Sequence, residues 1–143
     1  VFIGEYEHSI DEKGRVAIPA RFREHLTEGF YITVGFETCL QAFPMPVFTE
    51  VSAKVRQVSM ATEQGRLMRR MFFSKAADAD VDRQGRVLIP HNLREEAGIG
   101  ERVVFAGMET YFEIWSAEEW ERMQVKLKEG RGLMSETTVM LNI

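Results

Sequence analysis

DEKGRVAIP at residues 11–19 and DRQGRVLIP at residues 82–90 agree at six of nine positions, 71 residues apart in a chain of 143. The shared positions are Asp11/Asp82, Gly14/Gly85, Arg15/Arg86, Val16/Val87, Ile18/Ile89 and Pro19/Pro90. Each residue type has a physical task. The aspartate can accept the N–H groups of a turn, and the glycine after it can take the positive φ that a hairpin turn needs. The arginine then emerges at the start of an apolar strand. Proline cannot continue a central strand but suits the first turn of a helix. The phrase therefore reads as strand, turn, strand and helix, written twice.

The agreement spreads outward from this phrase. Pro19-Ala-Arg-Phe-Arg23 matches Pro90-His-Asn-Leu-Arg94 at the same offset, and GFETCLQAF (35–43) matches GMETYFEIW (107–115) after a one-residue difference in length. Two units follow, 5–47 and 76–120, with a helical connector at 48–75 and a helix end and tail at 121–143. A unit of this size is near the lower limit for folding alone, so the two should share a core. EYEHSI alternates, with Tyr6, His8 and Ile10 on one face. ADADVD does the same with Ala77, Ala79 and Val81 against Asp78, Asp80 and Asp82. Ile18, Phe22 and Leu26, and again Ile89, Leu93 and Ala97, mark one buried stripe on each short helix. FYITV and RVVFA open second hairpins that CLQAF and YFEIW close.

In the connector, Val47, Val51, Val55 and Val58 predict one amphipathic helix, and Leu67, Met71 and Phe72 mark the buried side of another. Ser116 and Glu119 form a capping box ahead of Trp120, Met123 and Leu127. GRGLMSETTVMLNI (130–143) shows no period and is expected to be a mobile tail or an assembly arm. Strands and helices in this mixture define an α+β fold.

With 45% hydrophobic and 28% charged residues, the composition is that of a globular protein. No apolar run approaches the ~20 residues of a membrane span, and VFIGEYEH has no signal-peptide pattern. A single cysteine, Cys39, cannot form an intrachain disulfide, which points to a reducing cytoplasm. The net charge of −4 lies entirely in the second half, because residues 1–71 carry nine basic and nine acidic side chains. A polyanionic partner would need a local basic patch.

The arginines are the chemistry the turn does not require. A turn uses Asp and Gly, whereas a repeated exposed Arg suits phosphate or guanine, which a planar fork can bind with two hydrogen bonds. Lys13 and Arg83 add a cation to each tip. DEKGR sums to zero and DRQGR to +1, so several tips would have to act together. Arg66, Arg69 and Arg70 form a ridge on the connector, either a solvated face with Glu63 paired to Arg66 or an auxiliary phosphate contact. Asp78, Asp80 and Asp82 fail as a calcium loop, since glycine falls at its eighth position and no glutamate stands at its twelfth. His8, His25, His91 and Cys39 lack ligand spacing, so no metal is expected. No nucleophile motif, phosphate loop or dinucleotide fingerprint is present, which argues against an enzyme, a cofactor or a small-molecule substrate. Met68, Met71, Phe72 and Phe73 form an apolar cluster suited to a core or a subunit interface.

VFIGEYEHSIDEKGRVAIPARFRE, the second DRQGRVLIP and the closing FEIWSAEEWE, in that order, resemble the MraZ family over essentially the whole chain. The resemblance implies two tandem SpoVT-AbrB units forming a pseudo-two-fold, swapped-hairpin β-barrel with additional helices, assembled as a ring-like homo-oligomer. It further implies a nucleoid-associated, DNA-binding transcriptional regulator, typically a repressor, of the division and cell-wall gene cluster. Such a protein binds short direct repeats in double-stranded DNA upstream of its own gene. On this resemblance Arg15 and Arg86 read DNA, Lys13 and Arg83 support them, and Asp11, Gly14, Asp82 and Gly85 shape the turns. The neutral first tip and the net acidity favour an alternative, an AbrB-like assembly module that does not read DNA.

Overall fold

A computed structural model describes residues 1–143. The first unit contains β1 (Glu5–Ser9), β2 (Arg15–Ala17), α1 (Ala20–Arg23), β3 (Phe30–Val34) and β4 (Leu40–Pro44). The connector forms α2 (Met45–Val55), α3 (Glu63–Arg69) and a π-helical turn, Arg70–Ser74. The second unit contains β5 (Ala77–Ala79), β6 (Arg86–Leu88), α4 (His91–Glu96), β7 (Arg102–Gly107) and β8 (Phe112–Ser116). Two helices follow, α5 (Ala117–Glu129) and α6 (Arg131–Leu141).

Strand pairing ties the units together. β3–β4 and β7–β8 are hairpins within a unit, but β1 lies on β7 and β5 lies on β3. With β4 beside β8, this gives a six-stranded antiparallel sheet in the order β1-β7-β8-β4-β3-β5. The short strands β2 and β6 pair only with each other, as a separate two-stranded ribbon. Each unit thus supplies the edge strand of the other, and neither unit has its full hydrogen bonding alone.

The registers locate an axis. In the ribbon Val16 faces Val87, its own counterpart, while Arg15 faces Leu88 and Ala17 faces Arg86. In the sheet Gln41 faces Glu113, again its own counterpart, flanked by Leu40–Ile114 and Ala42–Phe112. A pseudo-two-fold axis runs through both pairs, from the ribbon to the centre of the sheet.

The main core fills the space between the ribbon and one sheet face, and it is built from counterpart pairs: Val16/Val87, Ile18/Ile89, Phe22/Leu93 and Ile32/Phe105 are all essentially fully buried. Each such side chain contributes about 1.5–3 kcal/mol by leaving water. The other sheet face is covered by α2 and the π-helical turn around Phe43, Val55 and Phe72, and by α5 around Trp115. His8 is half-buried and meets the Phe105 ring edge-on.

Several expectations change. The α+β class holds, but the sheet does not close into a barrel; β1 and β5 remain edges and the ribbon stands apart. Phe72 is buried as expected, but Leu67 and Met71 are exposed, and Gly65 and Met68 take their place on the buried side of α3 and the turn after it. Gly65 sets this choice, since a side chain there would strike the Ser59 carbonyl. The stretch read as an aperiodic tail forms α6, capped by Asn142 in the left-handed conformation. Its period was masked by Thr137 and Gly132 among the apolar residues.

Candidate nucleic-acid interface

The two turns have the same skeleton. The Asp11 carboxylate accepts the N–H of Lys13 at 3.0 Å and of Arg15 at 2.9 Å through Oδ1. Asp82 accepts Gln84 N–H at 2.8 Å and Arg86 N–H at 2.9 Å in the same way. Gly14 and Gly85 take φ values of 92° and 78°, the left-handed region that a side chain disfavours. The amide of Arg15, reinforced by that of Lys13 and by the Arg15 and Arg86 charges, holds the Asp11 carboxyl below its ordinary value. The amide of Arg86 does the same for Asp82, helped by the Gln84 amide and the charges of Arg86 and Arg15. Each turn therefore keeps an ionised aspartate at its centre.

The opposite unit fixes each turn in place. Ile89 N–H donates to the Gly14 carbonyl at 2.8 Å, and Ile18 N–H donates to the Gly85 carbonyl at 2.9 Å. The Arg94 side chain lies over Gly14, with its Nε donating to the Ile89 carbonyl at 3.0 Å, and Arg23 lies over Gly85. Arg23 and Arg94 are counterparts that sequence reading left without a role. Their shared offset from the repeated phrase was the available signal.

Because side chains alternate along a strand, Val16 and Val87 point to the core while Arg15, Ala17, Arg86 and Leu88 share the outward face. Arg15 and Arg86 are diagonal neighbours there, with Cα atoms about 7–8 Å apart. Lys13 and Arg83 are exposed at the two tips. The arginines themselves differ. Arg15 is exposed and makes no ion pair. Arg86 is half-buried, with its Nε 3.6 Å from Asp82 Oδ2 and no hydrogen-bond acceptor.

The ridge is not part of this surface. Arg66, Arg69 and Arg70 sit on α3 and the π-helical turn, across the sheet from the ribbon, and Arg66 donates to the Met60 carbonyl at 2.8 Å instead of pairing with Glu63. On that same far face Glu37, Cys39 and Glu113 bring one ligand-type atom each within 4.8 Å of one another. Burial, with Glu113 beside it, pushes the Cys39 thiol up, so it stays protonated and donates to Glu113 Oε2 at 3.8 Å. The trio is a buried acid–thiol pair with an exposed glutamate beside it.

These features define a class: a tandem-repeat α+β protein whose interlocked units present two arginine-bearing turns on one ribbon. A sequence model described as "MraZ protein, putative antitoxin-like" matches the chain twice, over residues 1–71 and 72–141. The chain belongs to the MraZ family. It is 52% identical over 123 residues to a Roseiflexus castenholzii protein called "Transcriptional regulator MraZ", covering 86% of each chain. Proteins of the same name are 46% identical over 121 residues in Herpetosiphon aurantiacus, covering 85% of each chain, and 40% identical over 141 residues in Desulforamulus reducens, covering 99% of each.

Proposed function

We propose that the chain is a DNA-binding transcriptional regulator that reads double-stranded DNA through the outward face of the β2–β6 ribbon. The observation that carries this reading is the placement of Arg15 and Arg86 side by side on that ribbon, with both turns hydrogen-bonded to the opposite unit. A major groove admits a two-stranded ribbon, and arginine forks bind guanine edges there. At about 3.4 Å of rise per base pair, arginines this close address two neighbouring steps of one groove. Lys13 and Arg83, with Arg23 and Arg94 behind the turns, face the phosphates and supply the salt-dependent share of affinity. One chain is then one reading unit, and multivalency comes from several copies.

The broken symmetry bears on the operator. A true two-fold reader matches a palindrome. Here Glu12 stands against Arg83, Lys13 against Gln84, and an exposed arginine against a half-buried one. Such a ribbon has a direction, which fits short direct repeats upstream of its own gene, bound by a ring-like homo-oligomer. The names of the relatives support transcriptional regulation, and the regulated genes would be the division and cell-wall cluster that the family resemblance implies.

The test is a mobility-shift titration with DNA from upstream of the native gene against scrambled DNA, repeated across a salt series. Tight, salt-dependent binding that prefers the native sequence is expected. Equal affinity for both DNAs, or none, overturns the reading and leaves the assembly-module alternative.

A further inference from the structure

We propose that α6 of one copy docks into a recess beside α5 of the next, filling the place that Phe72 fills in the other half of the same chain. The pseudo-symmetry makes the case. In the first half Phe72 packs on Phe43 and stacks on Phe48 at 5.7 Å, while Thr33 Oγ1 donates to its carbonyl at 2.7 Å. The counterparts of Phe43 and Phe48 are Trp115 and Trp120, and strand register makes Ala106 the counterpart of Thr33. All three line an open recess of about 370 Å³, with Met108, Glu113 and Met123 among its other lining residues. No element of the chain occupies it.

The missing filler has a candidate at the corresponding place in the chain. α6 follows α5 as α3 and the π-helical turn follow α2. Yet α6 has no buried residue. At 100° per residue, Leu133, Met134, Thr137, Met140 and Leu141 fall within an arc of about 120°, the width of a core-facing stripe. Leu133 is 69% exposed and Met140 85% exposed.

Folding back within the chain is blocked. In the first half residues 56–62 separate the two helices and let the chain return to the sheet. Between α5 and α6 there is only Gly130, below the two or more residues that helix–helix connections use. The helix therefore projects away from its own recess, and a second copy is the occupant that fits. Charge agrees: α6 carries one basic residue, Arg131, and one acidic, Glu136, while Glu37 lies at the recess with Lys126 in the adjoining groove. Giving a helix on one side and receiving one on the other is a head-to-tail contact, which closes as a ring when the rotation permits.

This inference rests on the self-assembly reading and assigns its surface. The test uses full-length protein. Leu133→Glu/Met140→Glu alters only exposed helix positions, and Met108→Glu alters an exposed position at the recess. By light scattering, wild type should be multi-copy, and each variant should need about tenfold or more concentration to assemble. The two variants mixed should stop at a pair of chains, because one retains a working recess and the other a working helix. The chain has two tryptophans, and both line the recess, so their emission should shift to the red in each variant alone and return about halfway on mixing, because only one recess of the pair is filled. Variants that assemble like wild type, or a mixture that forms no pair, overturn the docking mode while leaving assembly intact. A wild type that is a single chain at every concentration removes the assembly reading itself and the proposal with it.

Discussion

The turn at residues 11–15 and the turn at 82–86 share a backbone to within small differences in hydrogen-bond length, yet they present their arginines differently. Arg15 stands in solvent, whereas Arg86 lies down toward Asp82 with its Nε buried. The register supplies a cause. Arg86 faces the small Ala17, whereas Arg15 faces the larger, exposed Leu88, so the room beside each guanidinium differs. A repeated motif thus dictates the turn, while one residue on the facing strand sets what the turn offers to a partner.

The largest effect should come from the glycines, where the two turns also part. A Cβ on Gly14 would sit 2.7 Å from the Ile89 carbonyl, which is fixed backbone; on Gly85 its nearest contact is the Arg23 guanidinium, the mobile end of a long side chain. Both positions have positive φ, so both substitutions are strained. Gly14→Ala should cost roughly 2–4 kcal/mol of unfolding free energy and Gly85→Ala roughly 1–2. Urea denaturation measures both. Equal costs would mean that the cross-unit carbonyl contact at Gly14 relaxes as easily as a side chain.

Next in size is DNA affinity. Arg15→Ala removes a fork already free to bind, and should weaken binding to native upstream DNA by roughly 1–3 kcal/mol with a shallower salt dependence. Arg86→Ala should cost less, because Arg86 must first leave Asp82. Titrations at several salt concentrations separate the two, and a larger loss for Arg86→Ala would reverse their assigned ranks. Exchanging the facing residues, Ala17→Leu with Leu88→Ala, should move the exposed state from Arg15 to Arg86 and even out or invert the two alanine effects. That shift should be a fewfold change in affinity, about 1 kcal/mol or less.

Much of this was legible in the residues, and the part that was not has a common origin. Asp11, Gly14 and Pro19 act through local geometry, so the turn, the positive φ and the helix start could be read from spacing alone. Ile18, Phe22, Leu93 and Ala97 were legible as core because periodicity reports which face is buried. Barrel closure was not, since it depends on whether the edges β1 and β5 meet. Nor was the placement of Arg23 over Gly85, which needs the other unit in position. Phe72 was legible as buried, whereas Leu67 and Met71 looked buried because their spacing is helical, and the close approach of Gly65 to Ser59 turned the helix to bury Met68 in their place. The resting place of Arg86 likewise depends on Ala17, a residue in the other unit.

The smallest expected effect tests what the two turns still share. Both aspartates have carboxyl groups held below their ordinary value of 3.8, and in each the largest lowering influence is an amide hydrogen bond, ahead of the arginine charges. Salt screens charges between exposed groups but leaves a directed hydrogen bond in place. Asp11 and Asp82 should therefore both titrate below 3.8 by carboxyl NMR, and most of the depression should survive at high salt. Since the folded values lie below the unfolded ones, the stabilisation is complete above the unfolded range and is lost only as pH falls through the depressed values. Neither turn should change across the neutral range. A depression at Asp82 that vanishes with salt while that at Asp11 persists would show that the Arg86 ion pair, not the shared amides, dominates the second turn. The contrast between the turns would then reach from the arginines into the aspartates.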